Sequence, residues 1–242
     1  MRLAYMLTVL DGKRRYLARK NGMYHIGDFA VLKDLKEGKA KLGTREVYVL
    51  RSNLYDYIST IKRKAQIIAL KDAAYIIARC GIRSGWRVVE GGAGSGAMSI
   101  ALLYYTYPDG KVYTYELRDD FAAIAKKNVE NAGLQAHWIL KKGDIRKDVE
   151  ERDVDAFILD IPEPWEAVDM AKKALRQSGC IMAYIPTYNQ LERVYRKMKS
   201  VGFVDLEATE IIKRNILVGD MGTRPDNVEV AHTGFMVFGR KL

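Results

Sequence analysis

The sequence predicts a mostly parallel α/β domain preceded by a small all-β module, and three observations carry that reading. From about residue 66 onward, short apolar strands alternate with helical stretches across brief connections, the rhythm of a sheet covered on both faces. Before residue 50 the chain reads instead as short strands set off by the turn dipeptides Asp11-Gly12 and Asn21-Gly22. Charge divides the chain at the same place. Residues 1–65 hold 15 Lys/Arg against 6 Asp/Glu, a net of +9, whereas residues 66–242 hold 25 against 24, a net of +1.

In the first region the strand candidates are residues 3–10, 15–18, 23–26 and 46–50, and residues 53–63 are expected to form a helical linker. The boundary is placed at residue 60, giving a basic β domain (1–60) and a larger domain (61–242). A helix over 71–80 is ended by Gly81, and strand 86–91 runs into a glycine-rich loop. Helix 97–105, strand 111–116 and the amphipathic helix 119–131 follow, the last with Phe121, Ile124, Ala125 and Val129 on one face. Strands 136–140 and 154–160, helix 165–176, strand 180–185 and helix 188–201 continue the alternation. The last two strands, 203–213 and 230–238, have no helical pattern between them and are expected to pair antiparallel. A seven-stranded, mostly parallel sheet with an antiparallel C-terminal hairpin is the Rossmann-like layout of class I methyltransferases, an analogy of fold alone.

Composition narrows the class. Among 242 residues, 48% are apolar, enough for a substantial core. No apolar run approaches the roughly 18 residues that a membrane helix needs. The best run, residues 3–10, stops at Asp11-Gly12 with no cleavage site behind it. Cys80 and Cys180 make neither a disulfide framework nor a zinc site. A cytoplasmic protein without a metal or a membrane span is expected. The basic first quarter reads either as a solubilising surface or as a grip for a polyanion, nucleic acid first.

The chemistry is expected where strands deliver acids to one edge of the sheet. The first strand ends in Glu90-Gly91-Gly92-Ala93-Gly94-Ser95-Gly96-Ala97. Such a loop lets backbone approach a ligand, and it also fits the dinucleotide pattern or an ordinary α/β turn. Glu90 favours a cationic cofactor such as S-adenosylmethionine over NAD, since its charge would repel a pyrophosphate. Glu116, ending the second strand, can accept from ribose hydroxyls, and Asp144 in Gly143-Asp144-Ile145 from an adenine amino group. Asp160 ends the fourth strand ahead of Ile161-Pro162-Glu163-Pro164-Trp165, with helix capping as its plain alternative.

Four runs together resemble the tRNA (adenine-N1)-methyltransferases of the T-loop, the TrmI-like family. They are Val89 to Gly96, Leu159-Asp160-Ile161-Pro162-Glu163-Pro164-Trp165, Pro186-Thr187-Tyr188-Asn189-Gln190, and Ala231-His232-Thr233-Gly234-Phe235. The resemblance implies methyl transfer from S-adenosylmethionine to N1 of adenine 58, and in some members adenine 57, of tRNA. It also implies a homotetramer and a small N-terminal β domain. Asp160 is then the catalytic residue. The expected cofactor contacts are Gln66, Glu90, Gly92, Gly94, Ser95, Gly96, Ala97, Met98, Glu116, Asp144, Ile145 and Asp160 itself. Expected substrate contacts are Tyr188, Asn189, Arg224, His232 and Thr233; Asn189 is also a potential helix cap, and His232 equally reads as a core histidine of an apolar strand.

One departure stands out. The family often has Tyr-Pro-Lys-Asp where this chain has Ala69-Leu70-Lys71-Asp72, and Tyr75 is the nearest aromatic that would substitute. Rival readings are a methyltransferase acting on a corrin precursor or a protein, a non-catalytic RNA-binding subunit, and an NAD-dependent oxidoreductase.

Overall fold

Alternation decides the N-terminal sheet. In the computed structural model, which describes residues 6–12, 14–19, 24–26, 29–31, 35–220, 222–227 and 232–242, β6 (Arg45–Arg51) buries Val47 and Val49 and exposes Tyr48 and Leu50. It pairs antiparallel with β1 (Met6–Asp11), which in turn pairs with β2 (Arg14–Arg19), while β5 (Gly38–Leu42) lies at the other edge. Leu7, Val9, Ala18, Val47 and Val49 form this sheet's own core. A separate two-stranded ribbon joins β3 (Tyr24–Ile26) to β4 (Phe29–Val31). The expected Asn21-Gly22 turn, residues 3–5 and Met23 fall outside the described residues. The sequence reading missed β4 and β5; β5 carries lysines in its short Gly-Lys-Ala-Lys-Leu run, as edge strands often do, and so lacks an apolar signature.

The expected linker contains α1 (Leu54–Thr60). Its start is fixed by a capping box, in which the Asn53 side chain accepts from the Asp56 amide and the Asp56 carboxylate accepts from the Asn53 amide, both at 3.1 Å. Arg15 of β2 reaches the same buried Asp56 at 2.8 Å. Tyr57 and Ile58 are buried in the larger core, against which Met6 and Leu17 of the small sheet also pack, so α1 joins the small sheet to the larger unit.

That unit is a seven-stranded sheet in the order β12-β15-β11-β10-β7-β8-β9. The strands are β7 (Arg87–Gly91), β8 (Lys111–Glu116), β9 (Trp138–Lys142), β10 (Val154–Leu159), β11 (Leu175–Ile185), β12 (Phe203–Thr209) and β15 (Phe235–Lys241). Strands β7 to β11 run parallel, and β15 is antiparallel to both neighbours, β11 and β12. The helices are α2 (Leu70–Cys80), α3 (Ala97–Thr106), α4 (Asp119–Ala132), α5 (Val168–Ala174) and α6 (Tyr188–Ser200). Two buried clusters occupy the two faces of the sheet, one under α2, α3 and α4 and the other under α5 and α6. Chain order reverses between β7 and β10, and such a switch point opens a crevice at the carboxyl ends of the strands.

Three details differ from expectation. The chain does not pass directly between its last two strands; β13 (Ile216–Gly219) and β14 (Gly222–Pro225) form a projecting hairpin between them. Its side chains are mostly exposed, so no core pattern announces it. Helix 165–176 splits into a 3₁₀ turn, Pro164–Ala167, and a shorter α5, because Leu175 already pairs with Val154 as the first residue of β11. Cys80 and Cys180 face one another in the core as free thiols, their sulfurs 2.9 Å apart. No helix among the described residues is long and apolar enough to cross a membrane, and those residues contain no cluster of metal-ligating side chains.

Candidate active site

The crevice is assembled from strand ends. The Asp160 amide donates to the Gly91 carbonyl and the Gly92 amide to the Tyr115 carbonyl, both at 2.9 Å, binding the ends of β10, β7 and β8 together. Gly92 has φ +88°, and a Cβ there would lie 2.1 Å from the Asp160 carbonyl oxygen. Only glycine fits. Glu116 closes the loop from the other side: one carboxylate oxygen accepts from the Ala93 and Gly94 amides at 3.0 and 3.3 Å, the other from the Arg118 amide at 2.9 Å.

The resulting cleft, of roughly 380 Å³, is lined by seven of the expected cofactor residues: Gln66, Gly92, Gly94, Glu116, Asp144, Ile145 and Asp160. Glu90, Ser95, Ala97 and Met98 are at most 6% exposed and do not line it; Gly96, also buried, is the residue before α3. They form the floor behind the loop, because α3 begins directly beneath it. The sequence reading missed Arg118, Phe121 and Arg146. Arg118 stacks 4.0 Å over the Phe121 ring, and Arg146 clamps Asp144 through Nε and Nη2 at 2.8 and 2.9 Å. That guanidinium holds the Asp144 carboxyl below the usual range. The one sequence signal was the acid–cation spacing in Asp144-Ile145-Arg146.

Asp160 opens into the cleft, so water reaches it, yet protein encloses it on its other sides. Loss of solvation, with a smaller push from the Glu116 charge, raises its pKa to about 6. It therefore remains mostly ionised at neutral pH. It makes no side-chain capping bond to the turn at Pro164, whose preceding residue is Glu163. Three carboxylates facing apolar Leu117, Phe121, Ile145, Ile161 and Pro162 suit a ligand with hydroxyl donors, a flat ring and a positive centre.

Glu90 plays a different part from the expected charge at the loop's mouth. Its Oε2 accepts from Ser99 at 2.5 Å and Thr114 at 2.6 Å, and Thr114 accepts from the Trp138 indole; Oε1 is buried with no partner. Burial pushes its pKa to about 7, against the two hydroxyl bonds. The native protein thus holds a proton between about pH 4.5 and 7 that the unfolded chain has lost. This contribution to stability is complete below about pH 4.5 and disappears as pH rises through 7. Glu90→Gln, which cannot ionise, should gain on wild type between pH 5 and pH 8 by an amount on the order of 3 kcal/mol. Parallel melting curves of the two proteins across that range would refute it.

The expected substrate residues are only partly brought together: Tyr188 and His232 meet at the Phe235 ring, and Thr233 lines a second cavity beside the cleft. Tyr188 is 69% exposed and stacks on Phe235 at 4.4 Å, and His232 stacks on the same ring at 4.5 Å. His232 is not in the core, since β15 begins at Phe235 and leaves it in the preceding loop, exposed. Its ring nitrogens lie 2.7 Å from a Glu210 carboxylate oxygen and 3.0 Å from the Pro186 carbonyl, which raises its pKa. Asn189 does not cap α6; Thr187 does. Arg224 lies on the β13–β14 hairpin and lines neither the cleft nor the cavity beside it. Thr233 donates to Asp72 at 2.8 Å and accepts from Lys71 at 2.7 Å. Buried Asp72 also accepts from Tyr184. The Lys-Asp pair of the departed motif therefore fastens the loop ahead of β15 to α2. Tyr75 does not replace the missing aromatic: its hydroxyl donates to Glu207 and its ring packs on Phe238, outside the cleft.

A seven-stranded sheet of this order, with acids at successive strand ends around a glycine loop, defines a class I methyltransferase fold. The comparisons agree and go further. The chain belongs to the family described as the tRNA methyltransferase complex GCD14 subunit, whose model matches residues 46–233. It is 35% identical to the tRNA (adenine(57)-N(1)/adenine(58)-N(1))-methyltransferase TrmI of Methanocaldococcus jannaschii, over 98% of this chain and 95% of that one. Among solved structures, the tRNA (m1A58) methyltransferase TrmI of Aquifex aeolicus is 27% identical over 98% of this chain and 96% of that one, with TM-score 0.84. A SAM-dependent O-methyltransferase of Thermotoga maritima is 28% identical over 100% and 94%, with TM-score 0.89.

Proposed function

We propose that this chain transfers a methyl group from S-adenosylmethionine to N1 of adenine in the T-loop of tRNA, at position 58 and, as in the Methanocaldococcus relative's name, position 57. The observation that carries the chemistry is Asp160, a mostly ionised carboxylate open to a cleft that Glu116 and Asp144 also line. When bound, the cofactor supplies an electrophilic methyl on a positively charged sulfur. In this reading Glu116 accepts from the ribose hydroxyls, Asp144 with Arg146 frames the adenine edge, and the apolar wall packs the ring.

Adenine N1 has an in-plane lone pair and needs no base to become a nucleophile. As the N–CH₃ bond forms and the S–CH₃ bond breaks, positive charge moves onto the purine. Asp160 would accept a hydrogen bond from the exocyclic amine and stabilise that charge through a fixed anion. N1 lies on the pairing edge, so the base must leave its stack to reach the carboxylate.

The small basic sheet would hold the tRNA backbone, although part of its charge is answered internally: Lys39 pairs with Glu46, Arg45 with Asp11 and Arg51 with Glu37. The expected tetramer belongs to this reading as well, and exposed Ile212, Ile216 and Val218 supply apolar surface for it. Incubation of unmodified tRNA with methyl-labelled cofactor, followed by nucleoside mapping, should place label in 1-methyladenosine. Label in protein or small molecules, with none in tRNA, would overturn the proposal.

A further inference from the structure

A second cavity, of roughly 790 Å³, lies beside the cleft, between α1, residues 61–69 and the chain leaving β12. Residues 61–69 form a strap across the glycine loop and α4. Asn128 donates to the Lys62 carbonyl at 2.8 Å, the Lys64 amide reaches Ser95 at 3.4 Å, and the Lys64 ammonium pairs with Asp120 at 2.8 Å. Ala65 and Gln66 line both cavities.

The two spaces differ in charge. Three carboxylates and two arginines, Arg118 and Arg146, line the cleft. Arg63, Lys64, Lys71 and Lys213 line the second cavity, and among the described residues no Asp or Glu does. Lys64 and Lys71 are neutralised by Asp120 and Asp72, which lie outside it. The Arg63 and Lys213 side chains are exposed and have no ion-pair or hydrogen-bond partner among the described residues. Two unanswered cations on a concave wall are a poor arrangement for an empty surface and a good one for a phosphodiester, which a guanidinium can grip through two N–H groups.

We propose that this cavity is a phosphodiester-binding subsite for the RNA strand flanking the target nucleotide, with Arg63 and Lys213 as its principal contacts. The inference rests on RNA being the substrate. It locates backbone contacts at the junction of the two units, beyond the small sheet, so that the strand lies on one side of the Ala65–Gln66 wall and the extruded base on the other.

The test is binding of fluorescent unmodified tRNA transcript over a range of salt. The proteins are wild type, Arg63→Ala/Lys213→Ala, and a control pair with the same charge loss on exposed lysines of α5 and α6, Lys173→Ala/Lys199→Ala. The cavity variant should lose tenfold or more in affinity near 0.1 M salt. Its slope of log affinity against log salt should be shallower by about 1 to 2. Its KM for tRNA should rise with kcat at saturating tRNA kept, and its melting temperature and cofactor affinity should match wild type. A loss no greater than the control pair's, or an unchanged salt slope, would overturn the proposal. If wild-type protein binds no tRNA, the substrate reading itself fails; millimolar inorganic phosphate that raises the melting temperature of wild type but not of the cavity variant then identifies a small-anion site and also overturns the strand proposal.

Discussion

Asp160→Ala should lower the turnover of methyl transfer by on the order of 10²-fold or more while leaving cofactor affinity and the melting temperature near wild type. The asymmetry follows from position. The side chain projects into the cleft, whereas the backbone bond from the Asp160 amide to the Gly91 carbonyl is untouched by the change. Asp160→Asn separates charge from shape, since it preserves the size of the group and removes its anion. If the fixed charge is what matters, the two variants should be similarly slow. The wild-type rate should also fall as pH drops through about 6, where the carboxylate takes up a proton, and that acid limb should vanish in the Asn variant. Near-normal turnover in either folded variant would remove Asp160 from the reaction.

Gly92→Ala should be more damaging than any substitution of a lining side chain. The added Cβ would meet two backbone atoms of residue 160, the carbonyl oxygen at 2.1 Å and its carbon at 3.0 Å, at a φ of +88°. Neither obstacle is the flexible end of a side chain, so relief requires the ends of β7 and β10 to separate. A loss of about 3 kcal/mol or more in stability is expected from overpacking and backbone strain together. Cofactor affinity should fall at least a hundredfold, because the same displacement shifts the loop amides that Glu116 organises and the cleft wall at Ile161 and Pro162. Gly94→Ala is the internal control: its φ is +49° and its Cβ would have nothing within 4 Å, so only about 1 kcal/mol of strain is expected. Thermal melts with isothermal titration of S-adenosylmethionine compare the two. Equal effects at both positions would contradict the contact between these strand ends.

The legibility of this chain followed from where its constraints lie. The strands of the large sheet announced themselves through their inner stretches, Val88-Val89 of β7, Ala156 to Leu159 of β10 and Cys180 to Ile185 of β11, which are covered on both faces and apolar. Glu116, Asp144 and Asp160 were legible for the complementary reason: a polar residue ending such a run has a stated place, the carboxyl edge. What escaped depends on residues brought together only by folding. Arg63 and Lys213 face one space from distant parts of the chain, and neither carries a local pattern. The β13–β14 hairpin has little core face, so periodicity had nothing to register. His232 was misread as a member of an apolar strand because Phe235, Met236, Val237 and Phe238 follow it closely; the strand begins three residues later, and the ring answers Glu210 instead. Glu90 shows the limit for charge: its identity was plain, but the protonation state depends on burial behind the loop.

The Ala65–Gln66 wall has a thermodynamic consequence. A backbone segment with a ligand on each face, anchored at Ser95, Asp120 and Asn128, makes the two occupancies parts of a single equilibrium. Whatever factor bound cofactor introduces into the affinity for tRNA, tRNA must introduce the same factor into the affinity for cofactor. The gain or loss in tRNA affinity on cofactor binding and the gain or loss in cofactor affinity on tRNA binding are then two readings of one coupling constant.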